Sequence, residues 1–142
     1  MAITQGMCSS FKTELLNGVH NLPAQQIYIA LYTSAATLSA ATTIYTTANE
    51  VVSTGGTPYV AGGQVLLGTV VSLSGTTAIV DFTDAVFPAV TMTARGALIY
   101  NVSAANKAIA VLDFGSDKTS TLGDFTIVFP VADAANAIIR IA

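Results

Sequence analysis

The spacing of apolar positions changes twice along the chain. Residues 7–19, MCSSFKTELLNGV, set Met7, Phe11, Leu15 and Val19 four apart, with Cys8 and Leu16 beside them. That is one stripe on a short amphipathic helix. Thr4 is a candidate N-cap, and Gly18 with Pro23 marks the stop, so the pattern predicts a helix over about residues 5–19. A helix this short has to dock on something else. The next run, QIYIALYT, alternates Ile27, Ile29 and Leu31 with Tyr28, Ala30 and Tyr32, which predicts a strand with one aliphatic and one partly aromatic face. Residues 34–63 then lose any period. SAATLSAATTIYTTANEVV fits a helical turn or an extended arm, and STGGTPYVAGG, with four Gly and one Pro, is a loop. An irregular stretch of this length in a compact domain usually carries function or interaction.

From Gln64 onward the period is that of strands. QVLLGTVVSLS, TTAIVDF, MTARGALIYN, KAIAVLDF, DFTIVFP and NAIIRIA are short β-rich runs, punctuated at Ser74-Gly75, Ala104-Ala105-Asn106 and Leu122-Gly123. Residues 98–114 form a hairpin pattern with VSAAN as its loop. Seven or eight short strands at roughly ten-residue spacing predict a mainly all-β fold, an antiparallel β-sandwich or jelly roll with one short N-terminal helix. No second domain and no internal repeat emerges, so residues 1–142 read as one domain.

Composition sharpens this picture. Only 9% of residues are charged while 52% are hydrophobic, against roughly 25% charged in ordinary globular domains. The polar surface therefore falls to 19 Thr and 10 Ser, residues suited to the solvent face of strands. A net charge of -3 with five scattered Lys and Arg offers no basic patch for nucleic acid. A weakly charged surface also has little repulsion to overcome when it packs against neighbours. Mean hydropathy is high at +0.64, but no uninterrupted apolar run approaches the ~18 residues a spanning helix needs. The N-terminus lacks a basic start followed by a long apolar stretch, so no secretory signal is expected. On that basis the glycosylation-like Asn101-Val102-Ser103 is an empty match. Cys8 is alone and, beside Met7 and Phe11, reads as a small buried apolar residue.

One stretch, AVLDFGSDKTS, invites a chemical reading. Asp113-Phe114-Gly115 matches the magnesium-binding tripeptide of protein kinases, and Gly115, Lys118 and Thr119 loosely suggest a phosphate loop. The kinase reading fails because His20 is the sole histidine, leaving no catalytic-loop motif. The phosphate-loop reading fails because Asp117, not Gly, precedes Lys118 and sets a negative charge where an anion would sit. AIAVLDF instead predicts a strand and GSDKTSTLGD a solvated turn. On that strand Leu112 and Phe114 would face the core, with Val111 and Asp113 on the other side.

Other catalytic constellations are equally thin. His20, in GVHNLP, fits capping or packing better than a Ser-His-Asp triad. No zinc ligand set is present. Asp81 with Asp84, or Asp113 with Asp117 and Asp124, could pair as carboxylates, but the strict spacing of a calcium loop is missing and turn aspartates usually bond their own backbone. Arg95, in TARGALIY, is expected to pair with Asp81, Asp84 or Asp113, with an interface contact as the alternative. No enzyme activity and no cofactor are expected.

Taken together, SFKTELLNGVHNL, IALYTSAATLSAATTIYTTANEV, YVAGGQVL, TARGALIYN and AVLDFGSDKTSTLGDFTIVFP resemble small virion structural proteins of tailed bacteriophages. The resemblance covers nearly the whole chain, is strongest in LYTSAATL, ARGALIYN and LDFGSDKTS, and includes no catalytic motif. The chain departs from that pattern at GVHNLPAQQIYIALY, which is shorter and carries Pro23. The resemblance implies a capsid cement or decoration protein on the outer shell, with a tail, neck or fibre-associated virion protein as the alternative. It implies manufacture in the host cytoplasm, residence in the virion, and the major capsid protein and copies of itself, as dimer or trimer, as partners. Neither nucleic acid nor membrane is among them. The helix and the 34–63 arm are the expected contact segments, with Phe11, Leu15, Tyr45, Tyr59 and Arg95 as candidate interaction residues.

Overall fold

The computed structural model describes residues 2–142 and is mostly β. In chain order the elements are β1 (Gly6–Met7), α1 (Ser9–Leu16), β2 (Ile27–Tyr32), β3 (Gly55–Gly56), β4 (Gln64–Val65), β5 (Val70–Ser74), β6 (Thr77–Asp81), β7 (Ala85–Asn101), a 3-10 turn (Val102–Ala104), β8 (Lys107–Ile127) and β9 (Ile139–Ile141). A larger sheet has the order β1-β8-β7-β2-β4, with β3 also on β7, and a smaller one has the order β5-β6-β9. Every ladder is antiparallel. Val80 and Ile139 of the smaller sheet join one core cluster with β2, β7 and β8, giving a sandwich-like arrangement. The expected all-β class is thus present. The described strands number nine rather than seven or eight because two-residue pieces, β1 and β3, have no sequence period to reveal them.

The β7–β8 hairpin is the spine. Its loop falls at residues 102–106 as the pattern predicts, and Asn101 Oδ1 accepts from the Ala104 N–H at 3.2 Å to close it. Ala105 and Asn106 both sit in the left-handed region, at φ 55° and 60°. β2 lies between β4 and β7 with five of its six residues buried, so both of its faces are core.

The sequence reading of residues 115–124 as a turn is overturned. β8 continues through them, because the distal half of β7 pairs with Lys118, Thr119, Ser120 and Gly123 on either side of the bulges. The Gly and Ser signals surface as bulges instead. Between the pairs Ala94↔Lys118 and Gly96↔Asp113, five steps along β8 oppose two along β7, with Gly115 at φ 80°. The bulge also changes the facing of the strand. Val111 and Leu112 are both buried, while Phe114 is half-buried on the ring of Phe125, 6.1 Å between centroids. The expected strand at 64–74 is likewise split, because Gly68, at φ 65°, brings its backbone so close to Thr83 Oγ1 that a Cβ would collide.

The helix is shorter than expected at both ends. Gly6 and Met7 are extended and pair with Val111 and Ala110, so Cys8, not Thr4, occupies the N-cap position, with no side-chain cap bond. Asn17 ends the helix and Gly18, at φ 72°, turns the chain away. Phe11 is its one buried residue, and Leu16 is 91% exposed. The 34–63 arm stays irregular apart from β3, yet it is pinned along its length. Leu38 bridges Ile3, the Tyr45 N–H donates to Asn106 O at 3.0 Å, and the Val51 N–H donates to Leu31 O at 3.0 Å.

These burials set an order of stabilities. Phe11→Ala should cost about 3–5 kcal/mol, as truncating a buried aromatic does. Phe114→Ala should cost on the order of 2 kcal/mol, having less area to lose, and Asp117→Ala, on the exposed bulge, within about 0.5 kcal/mol. Urea midpoints at constant m-value would check the order. An Asp117→Ala effect exceeding that of Phe114→Ala would contradict the path of β8 given above.

Candidate functional site

The most organised polar site is centred on Glu50. It is the sole Asp, Glu, Lys or Arg between Glu14 and Asp81, and it is 9% exposed. A buried carboxylate needs donors, and here all of them are neutral. Oε1 accepts from the Tyr59 hydroxyl and from the Gly62 N–H, each at 2.7 Å, and Oε2 accepts from the Tyr45 hydroxyl at 2.7 Å. The Tyr59 hydroxyl oxygen in turn accepts from the Leu31 N–H at 2.9 Å. Tyr100 stacks on Tyr45 with centroids 4.6 Å apart and donates to Gly62 O at 2.6 Å. Tyr32 donates to Thr46 O at 2.6 Å, and Tyr28 lies 6.1 Å from Tyr100 between ring centroids. All five tyrosines of the chain thus gather where the arm crosses β2 and β7.

Burial pushes the Tyr59, Tyr45 and Tyr32 hydroxyls well above the ordinary tyrosine value, and the Glu50 charge adds to it. Tyr100 is pushed up to about 12 by the same two causes in the same order. The hydroxyls therefore act as fixed donors, not as acids.

A second buried network ties α1 to the hairpin. The His20 ring packs 4.9 Å from Phe11, with Nε2 3.0 Å from Glu14 Oε1 and Nδ1 2.9 Å from Asn101 Nδ2. The Asn101 amide is oriented by its own bonds, Oδ1 from Ala104 N and Nδ2 to Gln25 Oε1 at 2.8 Å. Nδ2 therefore donates to Nδ1, and the His20 proton sits on Nε2 facing Glu14. Both ring nitrogens are bonded inside the fold and the side chain is buried, so His20 packs, in line with its sequence context. Cys8 is fully buried, and burial, with Glu14 second, raises its thiol to about 11, which keeps it unreactive at neutral pH.

The candidate residues scatter across these features. Phe11 is closed off in the core, and Leu15 is half-buried against it. Tyr45 and Tyr59 use their hydroxyls on Glu50. Of its three candidate partners, Arg95 takes Asp113, Nε to Oδ1 at 3.3 Å, both side chains partly exposed. The Gly115 N–H and then Arg95 hold the Asp113 carboxyl below the usual aspartate range. Asp84 accepts from the Phe129 N–H at 2.9 Å and Asp124 from the Ala89 N–H at 3.0 Å, so these carboxylates fasten backbone. Among the described residues no group of three His, Cys, Asp or Glu side chains could hold a metal ion. Among the described residues no helix is long and apolar enough to cross a membrane. A groove of about 780 Å³ between α1, β8 and the C-terminal residues includes Arg140, but that guanidinium already donates to Ala135 O at 2.7 Å.

Glu50 itself escaped the sequence reading. Its signal was isolation, one carboxylate in a long uncharged stretch with a tyrosine five residues before it and another nine after it. No family model, no curated protein and no solved structure matches the chain.

Glu50→Gln swaps an acceptor for an amide that meets other donors, and should destabilise the fold by about 1–3 kcal/mol. The raised tyrosines give a pH signature. Their folded values lie above the unfolded one, so their contribution is complete below about pH 10 and is lost as pH rises beyond it. Tyrosinate absorbance followed with circular dichroism should show most tyrosines ionising together with unfolding. Ionisation near pH 10 with the fold intact would contradict the network.

Proposed function

We propose that the protein is a structural component of a tailed-phage virion, a cement protein on the outer face of the capsid shell. The observation that carries this reading is how its surface is divided. The buried side-chain polar atoms, Ser10 Oγ excepted, are engaged inside the fold, while aliphatic side chains stand in solvent, Leu16 at 91%, Val52 at 80% and Leu73 at 72% exposed. Such a surface favours lasting contacts with other protein over chemistry on a small substrate. In this reading each copy buries one part of its surface on the major capsid protein and another on a neighbouring copy. A stable contact of that kind covers on the order of 1,600 Å² in total. Repetition around a closed shell lets modest contacts add up against internal pressure. The same reading makes the protein a homo-oligomer without enzymatic turnover, nucleic acid or membrane.

The test is location. A map of the purified virion should show β-rich density of this size on the shell exterior, and particles stripped of it should rupture at lower temperature. Density at the tail, neck or fibres would replace the capsid assignment with the other virion role, and its absence from particles would end the virion reading. Purified protein should also show no hydrolase or nucleotide-hydrolysing rate above background. A robust rate abolished by Asp113→Ala would contradict the reading.

A further inference from the structure

Soluble β proteins guard their free sheet edges with charges, proline, bulges or shortness. Most edges here follow that rule. β1 and β4 are two residues long, and β9 is three and carries Arg140. Beyond its short pairing with β1, the outer edge of β8 is broken by bulges near Gly115 and Leu122 and carries Asp117, Lys118 and Asp124. β5 is the exception. It is the outer strand of the smaller sheet, five residues long, and its ladder with β6 runs from Val70↔Asp81 to Ser74↔Thr77 without a register shift. Its sequence, VVSLS, has no charge, proline or glycine, and residues 51–80 hold no charge at all. Val70, Val71 and Leu73 are 55%, 49% and 72% exposed.

We infer that β5 pairs antiparallel with β5 of a second copy of this chain, about a two-fold axis at Ser72, joining the two small sheets into one six-stranded sheet. Two observations select a second copy. The first is charge. A two-fold contact sets each surface against itself, so any charge near the axis would meet its like. This neutral stretch suits self-pairing on a chain whose net charge is -3, and a strongly charged partner would find nothing here to complement. The second is register. Residues directly opposite in an antiparallel ladder share a face, so Val71, Leu73, Ala78, Val80, Ile139 and Ile141 form one wholly aliphatic face. Val80 and Ile139 are buried, but Val71 and Leu73, at its outer margin, are open. Pairing centred on Ser72 sets Val71 opposite Leu73 of the second copy, and the reverse, so each open margin covers the other. The free backbone groups of both edges are satisfied at the same time.

This inference names the surface for the homo-oligomer part of the function proposed above. It does not need the shell assignment: failure to bind shells with the dimer intact would remove only that assignment. Sedimentation of the purified chain from micromolar to millimolar concentration should show a monomer–dimer equilibrium. Ser72→Lys puts two like charges face to face, and Leu73→Lys removes the apolar cover. Each should weaken the dimer at least about tenfold, while Leu122→Lys, at a 65% exposed position on β8, should not. A crosslink tests the register independently of those changes. Opposed Cα atoms in such a ladder lie about 4.5–5.5 Å apart, within disulfide range. Ser72→Cys should therefore oxidise to a covalent dimer, with Cys8 too deeply buried to compete. A wild-type monomer throughout, a trimer, unchanged association in both lysine variants, or Ser72→Cys that stays uncrosslinked where a Ser116→Cys control crosslinks would each overturn the inference.

Discussion

The long β7–β8 ladder is the constraint to which everything else is fitted. Seventeen residues of one strand against twenty-one of the other cannot stay in flat register, because strands twist and the twist accumulates with length. The ladder absorbs the mismatch in four register shifts, with Ala89, Leu122 and Gly115 at positive φ marking three of them. Beyond those bulges the distal half keeps one face in the core, through Phe87, Val90, Met92, Phe125 and Ile127, and has β3 as its one further partner. The proximal half keeps its register long enough to be buried on both faces, and β2 extends the sheet on one side while β1 and α1 close the other.

Glu50 solves a different problem. The arm has almost no secondary structure, so its backbone cannot hold itself in place by a ladder. A buried carboxylate surrounded by neutral donors can hold it, because each bond to a charged acceptor is stronger than one between neutral groups. Removing either side leaves an uncompensated group in a dry site. The residues brought together come from the arm (Tyr45, Glu50, Tyr59, Gly62), from β2 (Leu31) and, through Gly62, from β7 (Tyr100). Neutral donors also leave the site without a cation that solvent could compete for, so the arm should stay seated across a wide range of salt.

The legible part of the sequence was the part written in periods. Alternation in QIYIALY, the VSAAN loop and the aliphatic runs after Gln64 gave the all-β class and the spine hairpin. GSDKTSTLGD misled because Ser, Thr and Gly serve a bulged, two-sided strand as well as a turn, and only the partner strand decides between them. Helix ends were misplaced because strand pairing of Gly6 and Met7 competes with helix propensity and wins through a contact about a hundred residues away. The Glu50 site was hard to read for a related reason. Its direct donors lie between Tyr45 and Gly62, but the Leu31 N–H and the Tyr100 ring that complete it come from β2 and β7, so the local window holds only part of it. Arg95 with Asp113 fared better, since the hairpin already placed them on adjacent strands.

The low charge that suits such a chain for assembly also makes its edges hazardous. With 9% charged residues, electrostatic repulsion can do little to keep copies apart, and geometry must do it instead. Bulges serve that purpose on β8, and brevity does on β1, β4 and β9. An edge left flat and apolar on such a molecule is tolerable when its partner is fixed and the pairing closes on itself. A two-fold contact closes after two copies, whereas a head-to-tail contact along the same edge would propagate into fibres. β5 satisfies the closing condition because its other side is already occupied by β6, so each copy offers one such edge. In such a pairing strand addition is limited by topology, with no need for the gatekeeping charges that β5 lacks.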